Sequence, residues 1–165
     1  MKRLALLALL LVLALLAYRG SRAACTCAEA RAAQGWCEAC AVGYVGPLEL
    51  RSRGLFDALD LHGHDIEAAA LECAGCRAAL AADGYCAADG RGFLAGRAYL
   101  SPLAYHLARG ETAAVERELD VVRRAVLEAQ RCELCAEAMV SNGTCPRCLL
   151  RYQDGVASPV ARGGS

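Results

Sequence analysis

The sequence predicts a small, metal-stabilised α+β fold of three short cysteine-bearing hairpin units, with short helices and one longer helix, behind an N-terminal apolar helix. The first observation is the number of cysteines, 11 in 165 residues, and their arrangement in repeated pairs. The second is the scarcity of large side chains outside the first segment, with one Trp, six Tyr and two Phe in the whole chain. Domains with so little core usually depend on disulfides or bound metal.

The charge balance excludes one class of partner. The chain carries 18 basic and 18 acidic side chains, for a formal net charge of zero at pH 7. Nucleic-acid binding usually requires a basic surface that neutralises phosphates. We therefore expect no nucleic acid as a partner.

The first 24 residues are predicted to be a signal peptide or a membrane anchor. A basic start precedes an unbroken apolar run over residues 4–17. A membrane-spanning helix needs about 20 apolar residues, whereas the apolar part of a signal peptide needs about 7–15. The run therefore favours a signal peptide, with Ser21 and Ala23 as small residues at a cleavage site, although an uncleaved anchor or a buried helix stays open. We therefore expect an exported or membrane-anchored protein that is extracytoplasmic rather than cytoplasmic. It would contact the membrane through this segment only if the segment is not cleaved.

The remaining chain contains three copies of one cysteine unit. Each copy has a cysteine ten positions before another, and a glycine two positions before the second cysteine. The residues before these glycines form the dipeptides Gln34-Gly35, Asp83-Gly84 and Asn142-Gly143. Because Asp-Gly and Asn-Gly favour two-residue hairpin turns, each copy is predicted to be strand, hairpin turn and strand.

Cysteine pairs flank each predicted turn, and every cysteine belongs to one of the copies. The third copy has two complete C-x2-C pairs, while the second has three cysteines and Asp89 at the fourth position. The first copy has four cysteines, with Cys25 one residue out of register. The candidate metal ligands are Cys25, Cys27, Cys37, Cys40, Cys73, Cys76, Cys86, Asp89, Cys132, Cys135, Cys145 and Cys148.

This spacing is typical of zinc sites. A tetrahedral zinc ion takes four ligands, about 2.3 Å away when they are thiolates, and a C-x2-C turn directs two sulfurs to one centre. Two to three zinc ions per chain are predicted. Disulfides are the usual state of exported cysteines, but an odd number of cysteines in short pairs argues against them. Iron and a thioredoxin-like redox pair are weaker alternatives.

The third copy resembles the short zinc ribbons of the double zinc ribbon type. The stretch 132–148 carries the resemblance, and Gly143-Thr144-Cys145-Pro146-Arg147-Cys148 is similar to their second knuckle. The resemblance implies structural zinc and a scaffold role. The usual proline is absent from Glu38-Ala39 and Ala74-Gly75, and Asp89 replaces a cysteine. The whole arrangement resembles that of exported bacterial proteins with repeated ribbons.

Several residues have more than one interpretation. Asp89 is either a fourth ligand or the mark of a degenerate site, and a histidine is a third way to complete that site. His62 and His64 could share a metal, but helix-stop chemistry with Gly63 as a left-handed cap explains them more simply. Cys25 could be lipidated after signal cleavage, although an arginine stands where bacterial lipoprotein signals have an apolar residue.

The helix signals lie after the first and second cysteine units and before the third. Ser52 and Ser101 suit N-cap positions for helices over residues 53–61 and 102–109. A longer helix has Thr112 as its predicted N-cap, an apolar seam from Val115 to Ala129, and an i,i+4 pair between Asp120 and Arg124. The seam members are Val115, Leu119, Val122, Val126 and Ala129. We expect the seam to pack on the ribbons, with self-association as the alternative.

These predictions divide the chain into six segments. They are the targeting segment 1–24, ribbon unit 1 with its helix over 25–63, ribbon unit 2 with its helix over 64–110, an amphipathic helix over 111–130, ribbon unit 3 over 131–155, and a disordered tail over 156–165. The predicted function is a non-enzymatic, zinc-binding structural or protein-interaction scaffold with a protein partner. Soft-metal handling is the alternative, and a redox protein or an enzyme using the three-cysteine site is less favoured, because no general base or pocket is evident.

Overall fold

The computed structural model describes residues 26–160, so the predicted N-terminal helix, Cys25 and the last five residues lie outside the described part of the chain. The described residues form a small α+β structure with three short antiparallel sheets. No helix between residues 26 and 160 has the length and apolar character needed to cross a membrane.

Helices and short strands alternate along the chain. The helices are α1 (Cys27–Ala32), α2 (Arg53–Leu59), α3 (Ala74–Ala81), α4 (Pro102–Arg109), α5 (Thr112–Ala129) and α6 (Glu133–Val140), with a 3₁₀ turn at Ala68–Ala70. The strands are β1 (Trp36–Cys37), β2 (Val42–Val45), β3 (Leu48–Leu50), β4 (His64–Asp65), β5 (Tyr85–Cys86), β6 (Arg91–Leu94), β7 (Arg97–Tyr99), β8 (Thr144–Cys145), β9 (Leu150–Gln153) and β10 (Val156–Pro159). The sheets have the strand orders β1-β2-β3, β4-β7-β6-β5 and β8-β9-β10.

The chain divides into two compact units, with the boundary after Glu49 inside β3. The first unit contains α1, β1 and β2. Its small core consists of the buried side chains of Ala30, Cys37, Val42 and Tyr44, with Cys27 packed against them. A cysteine therefore lies at the centre of this core, because few larger apolar side chains are present to fill it.

The second unit contains the remaining elements, and α5 packs against both α4 and α6. The residues of α5 that are most deeply buried are Ala114, Val121, Val122 and Ala125. Only Val122 belongs to the predicted seam. The other four seam members are half-buried, so the packed face of α5 is rotated relative to the prediction.

The predicted helix starts after the first two cysteine units are confirmed. Ser52 Oγ accepts a hydrogen bond from the Leu55 N–H at 3.0 Å, and Ser101 Oγ accepts one from the Ala104 N–H at 3.2 Å. Helix α4 has the predicted bounds, whereas α2 ends at Leu59, two residues early. Both serines thus satisfy N–H groups that the first helical turn leaves unpaired.

Two local predictions in this unit are wrong. Glu111, not Thr112, occupies the N-cap position of α5. Asp120 pairs with Arg123 at i,i+3. The predicted partner, Arg124, donates from Nη1 to the Gly155 carbonyl at 3.1 Å.

The end of α2 also differs from the prediction. Asp60 is the C-cap, with a left-handed φ of 40°, so the helix stops before the histidines and Gly63 is not its cap. His64 lies in β4, paired with Ala98 of β7, and its Nε2 is 2.6 Å from Asp60 Oδ2. His62 therefore follows the helix rather than lying in its last turn.

The third copy continues past its cysteines as the first two do. Strands β9 and β10 pair antiparallel across Asp154 and Gly155, which have φ values of 51° and 71°. Two successive positive φ values are typical of a type I′ turn, and Asp-Gly is a preferred sequence for it. Val156–Pro159, predicted to be part of a disordered tail, is strand β10.

Candidate metal centres

The described cysteines of the first pair in each copy lie at a helix N-terminus, not on the predicted strand. Cys73 and Cys132 are the N-cap residues of α3 and α6, and Cys27 is the first residue of α1. Cys76 and Cys135 lie within the first turn of their helices. The C-x2-C spacing thus becomes one helical turn, which places both side chains at the same end of the helix.

The dipeptides predicted to be hairpin turns end these helices instead. Their first residues have left-handed φ values of 51° at Gln34, 49° at Asp83 and 52° at Asn142. The N–H of each following glycine donates to a carbonyl five residues earlier: Gly35 to Ala30 at 2.7 Å, Gly84 to Ala79 at 2.8 Å, and Gly143 to Ala138 at 2.8 Å. This is the hydrogen-bond pattern of a Schellman cap. A left-handed residue before glycine suits both a helix end and a hairpin, which explains the wrong prediction.

The side chain of each left-handed residue also holds the tip of a later hairpin. Asp83 Oδ1 accepts from the Ala95 N–H at 2.8 Å, and Asn142 Oδ1 accepts from the Asp154 N–H at 2.8 Å. Gln34 Oε1 accepts from the Gly46 N–H in the first copy. The same contact, twelve residues apart, therefore recurs in all three copies.

A second repeated contact joins each Schellman glycine to the hairpin. Its carbonyl accepts a main-chain hydrogen bond nine residues later: Gly35 from Tyr44 at 3.0 Å, Gly84 from Phe93 at 2.8 Å, and Gly143 from Tyr152 at 2.8 Å. With the side-chain contact, this bond fixes the helix end to the hairpin. The helix carries the first cysteine pair, so its position relative to the second pair is set by these bonds.

The second pair of candidate ligands in each copy lies around a tight turn between two short antiparallel strands: its first cysteine ends a strand, and its second member, Cys40, Asp89 or Cys148, lies in the turn. The residue pairs that flank the turns are Cys37 with Val42, Cys86 with Arg91, and Cys145 with Leu150. Each turn ends in a left-handed residue, with φ of 50° at Ala41, 65° at Gly90 and 54° at Leu149. The hairpin expected in each copy is thus present, but it closes within the second cysteine pair.

The third copy brings its four cysteines together as cluster 3. Their sulfurs, from Cys132, Cys135, Cys145 and Cys148, lie within 4.8 Å of one another. Cys132 Sγ is 3.9 Å from Cys145 Sγ and 3.8 Å from Cys148 Sγ. Four thiolates about 2.3 Å from a tetrahedral ion lie about 3.8 Å from one another, so the spacing fits a tetrahedral metal.

Burial and backbone amides act in opposite directions on the thiols of cluster 3. Burial raises the pKa of Cys135 to about 12. At Cys145 burial also raises the pKa, but the Cys148 N–H, the Cys135 thiol and the Arg147 N–H together outweigh it and lower the pKa to about 7. The Cys148 N–H is 3.4 Å from Cys145 Sγ. A bound cation would supply the charge that the buried thiolates otherwise lack.

The second copy brings Cys73, Cys76, Cys86 and Asp89 together as cluster 2, again within 4.8 Å of one another. Cys73 Sγ is 3.8 Å from Cys86 Sγ. Cys76 Sγ donates to Asp89 Oδ2 at 3.0 Å. The structure therefore places the Asp89 carboxylate where cluster 3 has its fourth cysteine.

The carboxylate and the thiols of cluster 2 influence each other. Burial, followed by the hydrogen bond to Asp89, raises the pKa of Cys76. Hydrogen bonds from Cys76 and Cys73 lower the pKa of Asp89, and the charge of Arg91 adds to this effect. Asp89 therefore stays ionised beside the thiols and offers a charged oxygen to a cation.

A cavity of about 230 Å³ adjoins cluster 2, a feature that the sequence analysis missed. Its lining residues are Ala70, Leu71, Glu72, Cys73, Cys76, Asp89 and Arg91. Much of this lining comes from the segment that precedes α3, which lies outside the aligned repeat. The repeat pattern could not place that segment, so no signal in the sequence indicated the cavity.

The first copy places Cys27, Cys37 and Cys40 within 4.8 Å of one another as cluster 1. Cys25, the predicted fourth ligand, lies outside the described residues. Burial raises the pKa of Cys37, but hydrogen bonds from Cys27 and from the N–H groups of Cys40 and Thr26 reverse this and lower it to about 6. The described part of cluster 1 thus offers three sulfurs, with one of them predisposed to the thiolate form.

None of the three clusters within residues 26–160 includes a histidine. His64 contacts Asp60, as described above, and His106 Nδ1 is 2.7 Å from Glu111 Oε2. The suggestion that a histidine completes the second site is therefore wrong for the described residues, and Asp89 takes that place.

Clusters 2 and 3 belong to neighbouring copies that touch. Arg151 Nη2 donates to the Ala88 carbonyl at 3.2 Å, and Asn142 Nδ2 donates to the Tyr85 hydroxyl at 3.1 Å. A Cβ added at Gly90 would lie 2.8 Å from the Ser141 carbonyl oxygen. The turn that carries Asp89 is thus packed against the helix end of the third copy.

Comparisons of this chain with protein-family models, with curated proteins and with solved structures found no match. Among residues 26–160, the three clusters that could each hold a metal ion are the features that point to a function.

Proposed function

We propose that this chain is a zinc-binding structural scaffold that presents a surface to a protein partner. The observation that carries the proposal is cluster 3, in which four sulfurs have the separations of a tetrahedral thiolate site. Zinc favours four-coordinate sites made of cysteine, and such closed sites are typically structural.

The position of the clusters in the core supports a structural role. Cys37, Cys76, Cys135 and Cys145 are each at most 1% exposed, so they occupy positions that large apolar residues fill in other small domains. Each cluster joins a helix N-terminus to a hairpin. Zinc binding to structural sites in small peptides releases on the order of 10–16 kcal/mol, and that energy would replace a missing core.

The proposed scaffold is exported or membrane-anchored and non-enzymatic. The apolar run over residues 4–17 and the basic residues before it support export or anchoring. The four cysteine ligands of cluster 3 support a structural role for its zinc ion over a catalytic one, since catalytic zinc keeps one coordination position open for water or substrate.

Metal analysis of the full chain, purified anaerobically in detergent, tests the proposal. We expect two to three zinc ions per chain and all 11 cysteines reduced by thiol counting. Cys145→Ser should lower the zinc content by one, and so should Asp89→Ala if the carboxylate is a ligand. A metal-free chain with paired, oxidised cysteines would refute the proposal.

A second candidate function, soft-metal handling, is favoured by one observation. Cluster 2 has a carboxylate in place of the fourth thiol and a cavity beside it. The two functions predict different responses to a chelator. Removal of structural zinc should unfold the chain, whereas a metal carrier should release its ion and stay folded.

A further inference from the structure

Clusters 2 and 3 are each formed by a helix N-terminus and a hairpin, but their fourth candidate metal ligands differ. Asp89 stands where Cys148 stands in cluster 3, in the same turn of the hairpin. Carboxylate oxygen is a harder ligand than thiolate sulfur and binds a soft or borderline ion less strongly. A metal–oxygen bond to Asp89 is therefore the weakest bond that cluster 2 offers, and the first to yield to an incoming ligand.

The helix side of cluster 2 is also less covered. Gly75 lies between the cysteines of the first pair, where the third copy has Leu134. A Cβ added at Gly75 would lie 3.0 Å from Cys86 Sγ and 3.6 Å from Cys73 Sγ. The glycine thus leaves open a face of the sulfurs that even one methyl group would cover.

The cavity beside cluster 2 reaches the ligand atoms and has room for a small molecule. Cys73, Cys76 and Asp89 line it together with Arg91. Its volume of about 230 Å³ corresponds to roughly eight water-sized groups at about 30 Å³ each. Arg91 adds a fixed positive charge, and guanidinium groups bind carboxylates through paired hydrogen bonds.

From these three features, and on the basis of the proposed metal binding, we propose that cluster 2 is an exchange site that passes its zinc ion to a small thiol bearing a carboxylate. The carboxylate of the incoming molecule binds Arg91 in the cavity. Its sulfur forms a bond to zinc as the bond from zinc to Asp89 breaks, and the thiol proton passes to the freed carboxylate or to water. Further thiol molecules then replace the three cysteine sulfurs in the same way, each giving its proton to the cysteine sulfur that leaves, and the zinc ion departs as a thiolate complex. The step is a ligand substitution, so no electrons are transferred. Cluster 3 keeps its ion.

The test uses the full zinc-loaded chain in detergent under anaerobic conditions, with a chromogenic chelator that reports released zinc. L-Cysteine is the probe thiol, and cysteamine, which lacks the carboxylate, is its matched control. We expect one zinc ion per chain to leave at least tenfold faster with L-cysteine than with cysteamine at equal thiolate concentration. The remaining zinc should leave slowly with either.

Three variants test whether the rapidly released zinc ion comes from cluster 2. Asp89→Cys gives cluster 2 the same four cysteines as cluster 3. It should abolish the rapid release of zinc while the zinc content stays the same. Arg91→Gln should keep the zinc content but bring the L-cysteine rate down to the cysteamine rate. Cys148→Asp should weaken cluster 3 without producing a preference for L-cysteine, because the cavity belongs to cluster 2.

The outcomes separate this inference from the proposed function. The exchange-site proposal would be overturned if both thiols released zinc at equal rates, or if rapid release persisted in Asp89→Cys. Neither result would change the measured zinc content. A chain that binds no zinc would refute the proposed function itself. Circular dichroism of each variant with its zinc bound shows whether it has folded.

Discussion

The left-handed residue that ends α3 provides the sharpest test of how the repeat is held together. Asp83 has a φ of 49°, and its Oδ1 accepts the Ala95 N–H of the following hairpin. We consider three substitutions that remove these features separately. Asp83→Asn keeps the left-handed preference and the acceptor, Asp83→Gly keeps only the backbone freedom, and Asp83→Ala keeps neither.

The expected losses follow from two contributions. The hydrogen bond to Ala95 is partly exposed to solvent and contributes about 1 kcal/mol, and a left-handed alanine costs about 1 kcal/mol. Asp83→Ala should therefore destabilise the hairpin by about 2 kcal/mol and Asp83→Gly by about 1 kcal/mol. Asp83→Asn should stay within about 0.5 kcal/mol of the natural chain, since asparagine tolerates this conformation.

Native-state hydrogen exchange at the Phe93 amide measures these losses. This N–H donates to the Gly84 carbonyl at 2.8 Å and is not itself the group whose acceptor is removed. Losses of about 1 and 2 kcal/mol should speed its exchange about fivefold and about 30-fold when exchange is limited by the opening equilibrium. An Asp83→Ala rate equal to that of Asp83→Asn would refute the assigned role.

Two further predictions concern glycines that bring parts of the second unit close together. Gly92→Ala should lower stability by about 1–3 kcal/mol in chemical denaturation, because its Cβ would lie 2.2 Å from ring atoms of Tyr105. Gly96→Ala is its control: its Cβ would meet nothing within 4 Å, so it should cost about 1 kcal/mol from backbone strain alone. Gly90→Ala should speed zinc release from cluster 3, because its Cβ would lie 2.8 Å from the Ser141 carbonyl oxygen. An unchanged rate would contradict the contact between the second and third copies.

The sequence predicted which residues form each candidate metal cluster more reliably than it predicted the secondary structure that brings them together. The cysteine spacing grouped Cys132, Cys135, Cys145 and Cys148, and the structure places these four together. The same spacing grouped Asp89 with the second copy. Ligand grouping depends mainly on chain distance and alignment between copies, and both are visible in one sequence.

The backbone prediction failed where one local conformation serves two structures. A left-handed residue followed by glycine suits a hairpin turn and a Schellman cap equally well. The glycine distinguishes the two: Gly84 lacks the positive φ that a type I′ turn requires at its second residue, and its N–H donates to the carbonyl of Ala79 in α3. The helical segments before these dipeptides are short and rich in alanine, so their apolar periodicity was too weak to identify them.

Gly90 is a second residue whose role cannot be predicted from the local sequence alone. Its positive φ alone would explain the glycine, but Ala41 and Leu149 have similar φ values at the equivalent positions of the other copies. The turn conformation therefore tolerates a side chain. The glycine is needed for the close approach of the third copy, a long-range contact that local sequence cannot reveal.

The short chain distance between the cysteines has a consequence for how the molecule is made. In cluster 3, Cys132 and Cys148 are 16 positions apart in the chain yet have sulfurs 3.8 Å from each other. Closing so short a loop costs little entropy, and structures dominated by local contacts fold quickly. Each centre can form as soon as its own stretch is free to fold, which for an exported chain is once that stretch has crossed the membrane, without waiting for later residues. The order in which the centres acquire metal is then expected to follow the direction of translation, from the first copy to the third.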